Sequence, residues 1–179
     1  MKRFRTSLAA LGAVAALVAT ATLIQTDIGA AQATAASPDQ GISHLNTQVN
    51  LPPGAWVNTP LVVTLPVAGT YELDADVRGR LSGTPSFNSF ITARLWNDTA
   101  GVVVPQSERL IHQIIDANVG DATAGGNVTA PISELIQVTG PTVIRLQARR
   151  VDATGTASIA QIYSDGNGYT SLRFDRVAA

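Results

Sequence analysis

Residues Thr70 to Leu81 (TYELDADVRGRL) alternate apolar or small side chains with charged ones without a break. Tyr71, Leu73, Ala75, Val77, Gly79 and Leu81 fall on one side, and Glu72, Asp74, Asp76, Arg78 and Arg80 on the other. Period-two alternation of this length fits a strand with one buried and one solvated face. A helix would scatter the same charges around its axis and leave no apolar stripe to bury. The chain must therefore form a sheet and cover its apolar face with a second layer.

The rest of the sequence keeps this rhythm. Leu61 to Leu65 (LVVTL) reads as a strand joined to the first by Pro66-Val67-Ala68-Gly69. Phe90 to Trp96 (FITARLW) places Ile91, Ala93 and Leu95 inward and Thr92 and Arg94 outward. Val102 to Val104 is a short strand stopped by Pro105. Thr142 to Val151 (TVIRLQARRV) turns Ile144, Leu146 and Ala148 inward and Arg145, Gln147 and Arg149 outward. Thr156 to Tyr163 and Tyr169 to Val177 flank Ser164-Asp165-Gly166-Asn167-Gly168, which predicts a hairpin. Ser107 to Asp116 and Ile132 to Val138 carry apolar spacings that also suit a helix. Their setting among strands favours strands. Asn118 to Ala130, with three glycines, reads as a loop.

About eight to ten short strands separated by turn residues predict an all-β fold: an antiparallel sandwich of jelly-roll type over residues 49–179. No repeat of solenoid or propeller length is present. The chain has no cysteine, so no disulfide can support the fold. About 145 residues can bury roughly 68% of their unfolded surface, which suffices for a core without staples.

Met1 to Arg5 (MKRFR) carries three cations, Leu8 to Ile24 is uncharged and apolar, and Ala31-Gln32-Ala33 and Ala33-Thr34-Ala35 offer small residues for cleavage. This three-part pattern predicts a secretory signal over residues 1–35 and a secreted, extracellular location. The polar stretch up to residue 48 is expected to be a flexible tether. Beyond the leader, nine arginines face twelve acids, a net charge of −3. That balance gives no footprint for nucleic acid, and no second apolar run predicts a membrane span.

The step Leu65-Pro66-Val67-Ala68-Gly69-Thr70-Tyr71, in which Gly-x-Tyr opens a long core strand, resembles a landmark of tumour-necrosis-factor-like jelly rolls. The globular heads of complement component q belong to that group. The spacing to Ile91-Thr92-Ala93-Arg94-Leu95 and to Thr170-Ser171-Leu172-Arg173-Phe174 is similar as well. The resemblance spans Val49 to Val177 and implies a ten-stranded jelly roll, often trimeric, used for binding rather than catalysis in secreted bacterial or phage-type proteins. The chain differs from the group in having no collagen-like or coiled-coil stalk and only 5% aromatic residues.

Chemistry-bearing residues are few. A serine triad needs a histidine base. The chain has only His44, in the predicted tether, and His112, between the apolar Leu110 and Ile114. Asp74 and Asp76 stand about 6.5–7 Å apart along one strand, a spacing that could serve glycoside cleavage. The competing reading is a cross-strand charge ladder with Arg78, Arg80, Arg94, Arg145 and Arg149 on the same polar face. Those arginines, planar and bidentate, suit anionic or sugar partners. Asp165-Gly166-Asn167-Gly168 lacks the third ligand and distal glutamate of a calcium loop, so a tight turn is expected and no metal site. Asn97-Asp98-Thr99 and Asn127-Val128-Thr129 match the glycosylation pattern, but a chain whose only lysine is Lys2 reads as bacterial. Trp56 and Trp96 could stack on sugars, or simply pack.

These observations lead to a secreted, non-catalytic domain for self-association, with a trimer favoured, or for binding an extracellular glycan or protein, without a cofactor. Asp74, Asp76, Arg78, Arg94, Arg145, Arg149, Trp56 and Trp96 are the candidate interface residues. The second expectation is a carbohydrate-binding module using an exposed tryptophan. The third is a small hydrolase or lyase using Asp74 and Asp76.

Overall fold

The long alternating strand organises the molecule. The computed structural model describes residues 39–179, and the predicted leader lies outside them. Alternation extends beyond the predicted strand in both directions, and Gly69–Gly83 forms one continuous strand, β4, with its odd-numbered residues buried. The other strands are β1 (Gln40–His44), β2 (Val49–Asn50), β3 (Val57–Leu65), β5 (Phe87–Asn97) and β6 (Val102–Val103). They are followed by β7 (Arg109–Asp116), β8 (Ala124–Val138), β9 (Thr142–Thr154), β10 (Ile159–Ile162) and β11 (Ser171–Ala178).

Two antiparallel sheets form the sandwich. In the six-stranded sheet, β4 pairs with β8 along one edge, while its other edge is shared by β11 and β10, with β1 beyond β11 and β2 beyond β10. The five-stranded sheet runs β3-β9-β5, with β6 and β7 on the far edge of β5. Leaving aside the short β2, β6 and β10, the first, eighth, third and sixth main strands share one sheet, and the second, seventh, fourth and fifth the other. This is the jelly-roll order, two interlocked Greek keys.

The inner faces meet in one core. Tyr71, Leu73, Val77 and Leu81 of β4, Ile132 of β8 and Leu172 of β11 are fully buried against Leu61, Leu65, Ile91, Leu95, Ile144 and Leu146. Burying each such side chain contributes about 1.5–3 kcal/mol. The Gly-x-Tyr step has a local cause. Tyr71 packs edge-on against Phe174 at 5.8 Å, and its hydroxyl donates to the Val67 carbonyl at 3.0 Å, tying the turn to the strand. Gly69, at φ 152°, leaves no room for a side chain: a Cβ would stand 2.6 Å from the Ala178 carbonyl oxygen.

Three expectations change. The segment expected as a tether supplies β1, which pairs with β11 from Gln40 to His44 and brings His44 into the fold. Its half-exposed edge strand buries too little to show a core face in the sequence. The expected loop from Asn118 to Ala130 becomes strand at Ala124, because β8 follows β4 for its whole length. The predicted hairpin is absent: β10 and β11 lie end to end along β4, and the chain between them makes an excursion at residues 163–170. The two segments whose spacing also suited a helix are strands, β7 and the second half of β8.

Arg78 holds the excursion. Its backbone NH donates to Thr170 Oγ1 at 2.9 Å, and its carbonyl accepts from the Tyr163 NH at 3.1 Å. Its guanidinium bridges Asp165 at 2.7 Å, donates to the Gly168 carbonyl and to the Tyr163 hydroxyl, and lies 4.6 Å from the Tyr163 ring centroid.

Candidate functional site

The candidate residues divide between opposite faces of the sandwich. Asp74, Asp76 and Arg78 project from the outer face of the six-stranded sheet, while Arg94, Arg145, Arg149 and Trp96 project from β5 and β9 on the outer face of the five-stranded sheet. The expected single polar face bearing all the arginines is therefore corrected. Sequential alternation tells which side of its own strand a residue occupies. It does not tell which sheet the strand joins.

On the six-stranded sheet, Asp74 stands opposite Arg173 on β11 and Ser133 on β8. Arg173 Nη2 reaches Asp74 Oδ2 at 3.0 Å, and the Ser133 hydroxyl donates to Oδ1. A carboxylate with both oxygens engaged is a rung of a cross-strand ladder. The rung's partner is Arg173, not any of the arginines expected. Hydrogen bonding to Asp74 in turn holds the Arg173 guanidinium above its ordinary pKa. Asp76 is exposed and lies opposite Ser171 and Pro131. Asp165 sits in a tight turn closed by its NH donating to the Gly168 carbonyl at 3.0 Å. The Arg78 hydrogen bond, then that from the Asn167 NH, holds its carboxyl below the usual range.

Neither histidine sits in a catalytic arrangement. His44 packs edge-on to Tyr169 at 5.7 Å. His112 is buried beside Gly79 and Gly126, and burial pushes its pKa down. Of the two glycosylation patterns, Asn97 is buried and accepts from the Ala100 NH at 2.9 Å, whereas Asn127 is exposed on β8.

The five-stranded sheet presents a different arrangement. Antiparallel register sets Thr92 opposite Arg149, Arg94 opposite Gln147, and Trp96 opposite Arg145; on the other side of β9, Gln147 meets Asn58. Polar rows are bonded across the strands. Arg149 Nε donates to Thr92 Oγ1 at 3.2 Å, Arg94 Nε to Gln147 Oε1 at 2.8 Å, and Gln147 Nε2 to Asn58 Oδ1 at 2.7 Å.

Trp56, just before β3, lies over these rows. The guanidinium carbons of Arg94 and Arg149 are 3.9 and 4.6 Å from its ring centroid, and Arg94 is also 5.2 Å from that of Trp96. Both indoles are half-buried. Contacts at these distances are cation–π interactions, each contributing about 0.5–2 kcal/mol. Trp56 is therefore covered by guanidinium rather than bare, and a ligand approaching it meets arginine.

The charges on this face do not balance. Arg145 bridges Asp98 at 2.7 Å and donates through Nη1 to the Thr59 carbonyl at 2.8 Å. Arg149 bridges Glu108 at 2.9 Å. Among the described residues Arg94 has no carboxylate within ion-pair distance, and its two Nη groups have no protein acceptor. Burial, and the like charge of Arg149, push its pKa below the ordinary arginine value, while Glu108 pulls it up. Sequence reading missed Asn58, Asp98 and Glu108 as members of this cluster. They are polar residues near strand ends, and only register brings them to the arginines.

No family model matches the chain, and no curated protein matches it. Among solved structures, the chain is similar to one titled infectious bursal disease virus VP2 subviral particle, at 12% identity and TM-score 0.40, over 78% of this chain and 38% of that one. It is also similar to structures of the Gx strain of that virus (12% identity, TM-score 0.40, 78% and 37% covered) and the Gt strain (14%, 0.38, 78% and 38%). The chain spans less than two fifths of the length of those virus chains.

Proposed function

We propose that this is an exported, non-catalytic jelly-roll domain that binds a ligand outside the cell through the outer face of its five-stranded sheet. The observation that carries the reading is Arg94, held between Trp56 and Trp96 and fixed through Nε, with its remaining donors open. A rigid aromatic–arginine cluster with free donors is the composition that recurs at binding hot spots. Export rests on the leader pattern of the first 35 residues. The binding reading is preferred to an aspartate-based hydrolase because Asp74 is tied to Arg173 and Ser133.

The test uses the intrinsic emission of Trp56 and Trp96, the only tryptophans in the chain. The purified protein is titrated with soluble polysaccharides, both neutral (xylan, galactomannan) and acidic (polygalacturonate, alginate, hyaluronate). A saturable emission change with at least one of them, lost in Trp56→Ala, supports the reading. No change with any of them, nor with poly-glutamate as an acidic protein probe, overturns it.

A second reading is self-association, as the trimer that the resemblance to tumour-necrosis-factor-like jelly rolls implies. It is favoured by Leu110, Ile115, Val119 and Val128, all exposed along the flank where β7, β8 and the loop between them run side by side. Light scattering after size exclusion tests it. A trimer that dissociates in Leu110→Asp supports this reading, and a monomer at every concentration ends it.

A further inference from the structure

We infer that the ligand of this face is an acidic polysaccharide whose sugar carboxylate pairs end-on with the Nη1 and Nη2 donors of Arg94. The inference rests on the binding reading above and names its ligand class. The charge balance points to it first. Arg145 and Arg149 each hold a carboxylate, Asp98 and Glu108, and Arg94 holds only the neutral amide of Gln147. The cluster therefore carries one uncompensated positive charge, which a single carboxylate cancels. A phosphate dianion would leave a charge over.

Geometry points the same way. Gln147 occupies Nε and is itself anchored by Asn58, so the fork of Arg94 is oriented from behind. Stacking at 3.9 Å on Trp56 removes most of the rotamer freedom that an arginine loses on binding. The two open Nη groups then present the parallel donors that suit a carboxylate held bidentately. Beside them the half-exposed Trp96 offers apolar surface to the C–H side of a pyranose ring, and the exposed Asn58 an amide to its hydroxyls.

Arg94 stands on β5, an inner strand whose backbone pairs with β9 on one side and with β6 and β7 on the other, so no free strand edge lies at its fork. An extended peptide binds most readily by adding a strand to a free edge. A polysaccharide needs no such edge and can lie across a flat face. This favours the sugar polymer over an acidic peptide.

The experiment compares polygalacturonate with its fully methyl-esterified form, which keeps the chain and removes the charge, and with poly-glutamate, which keeps the charge and removes the sugar. Binding is read by tryptophan emission and checked by calorimetry. Alginate and hyaluronate repeat the acidic arm. The inference expects an acidic polysaccharide to bind at least tenfold more tightly than the ester and poly-glutamate. Arg94→Gln should lose that factor for the acid form only. Arg94→Lys keeps the charge and the stem but lacks the fork, and should recover less than half of the lost affinity on a logarithmic scale. Circular dichroism confirms that both variants are folded.

Equal binding of acid and ester overturns the inference and leaves a neutral-glycan face, with the function above intact. Equal or tighter binding of poly-glutamate makes the ligand an acidic protein and overturns the sugar assignment. Binding of neutral polysaccharides alone also overturns it. No binding to any probe overturns both the inference and the function it rests on.

Discussion

The guanidinium carbon of Arg94 lies 3.9 Å from the centroid of the Trp56 ring, joining the inner strand β5 to the segment that leads into the edge strand β3. The two residues are 38 positions apart in sequence. Their contact turns separate cross-strand rows into one rigid patch.

Removing the arginine should be felt in stability as well as binding. Arg94→Ala is expected to lower the unfolding free energy by about 1–2 kcal/mol, because contacts to two indoles are lost together. Urea denaturation followed by tryptophan emission measures this. A midpoint and slope equal to the parent's would mean that the patch is not energetically coupled to the fold.

Arg78 is expected to be more sensitive. Its side chain is only 12% exposed, and it serves Asp165, the Gly168 carbonyl and Tyr163 together. Arg78→Ala leaves those acceptors short of a donor and should cost about 2–4 kcal/mol. Arg78→Lys should restore less than half, since one ammonium cannot span all three. Amide hydrogen exchange should rise first at residues 163–170. Unchanged protection there would contradict the locking role.

His112 gives the molecule an acid limit. Folding depresses its pKa by burial, so the unfolded chain takes up the proton first. Stability is then full above the unfolded value of about 6.5 and falls as pH drops below it. Asp165, also depressed, adds its own loss only as pH falls through the carboxylate range. Between pH 7 and 5, His112→Leu should show a flatter stability profile than the parent in thermal melts. Parallel profiles would show that another group is responsible.

Gly79 tests the packing of β7 on β4. A Cβ there would stand 2.9 Å from Ile111 Cγ2 and 3.4 Å from His112 Cβ. Gly79→Ala should destabilise by about 1–3 kcal/mol through overpacking. A stabilised variant would mean that β7 shifts freely.

Much of the fold was legible in the sequence, for a simple reason. Alternation from Tyr71 to Leu81 shows which side chains are buried, whatever the sheet does beyond the strand, and the same holds for Ile91 to Leu95 and Ile144 to Ala148 in their own segments. β1 was not legible, because five half-exposed residues at an edge look like solvent-facing chain. The end-to-end placing of β10 and β11 was not legible either. Asp165-Gly166-Asn167-Gly168 makes a turn in both cases, and whether the flanking strands pair depends on β4 running alongside both.

The site divides in the same way. Outward placement of Arg94, Arg145 and Arg149 followed from the sequence, as did the all-β, cysteine-free domain that must live on its own core. Tertiary structure decided that Asp74, Asp76 and Arg78 stand on the opposite sheet, that Arg173 rather than those arginines neutralises Asp74, and that Arg94 alone in its patch lacks a carboxylate. Alternation is a local property, set by the pleat of one strand. Pairing register between β5 and β9, some fifty residues apart, is set by the whole core closing at once.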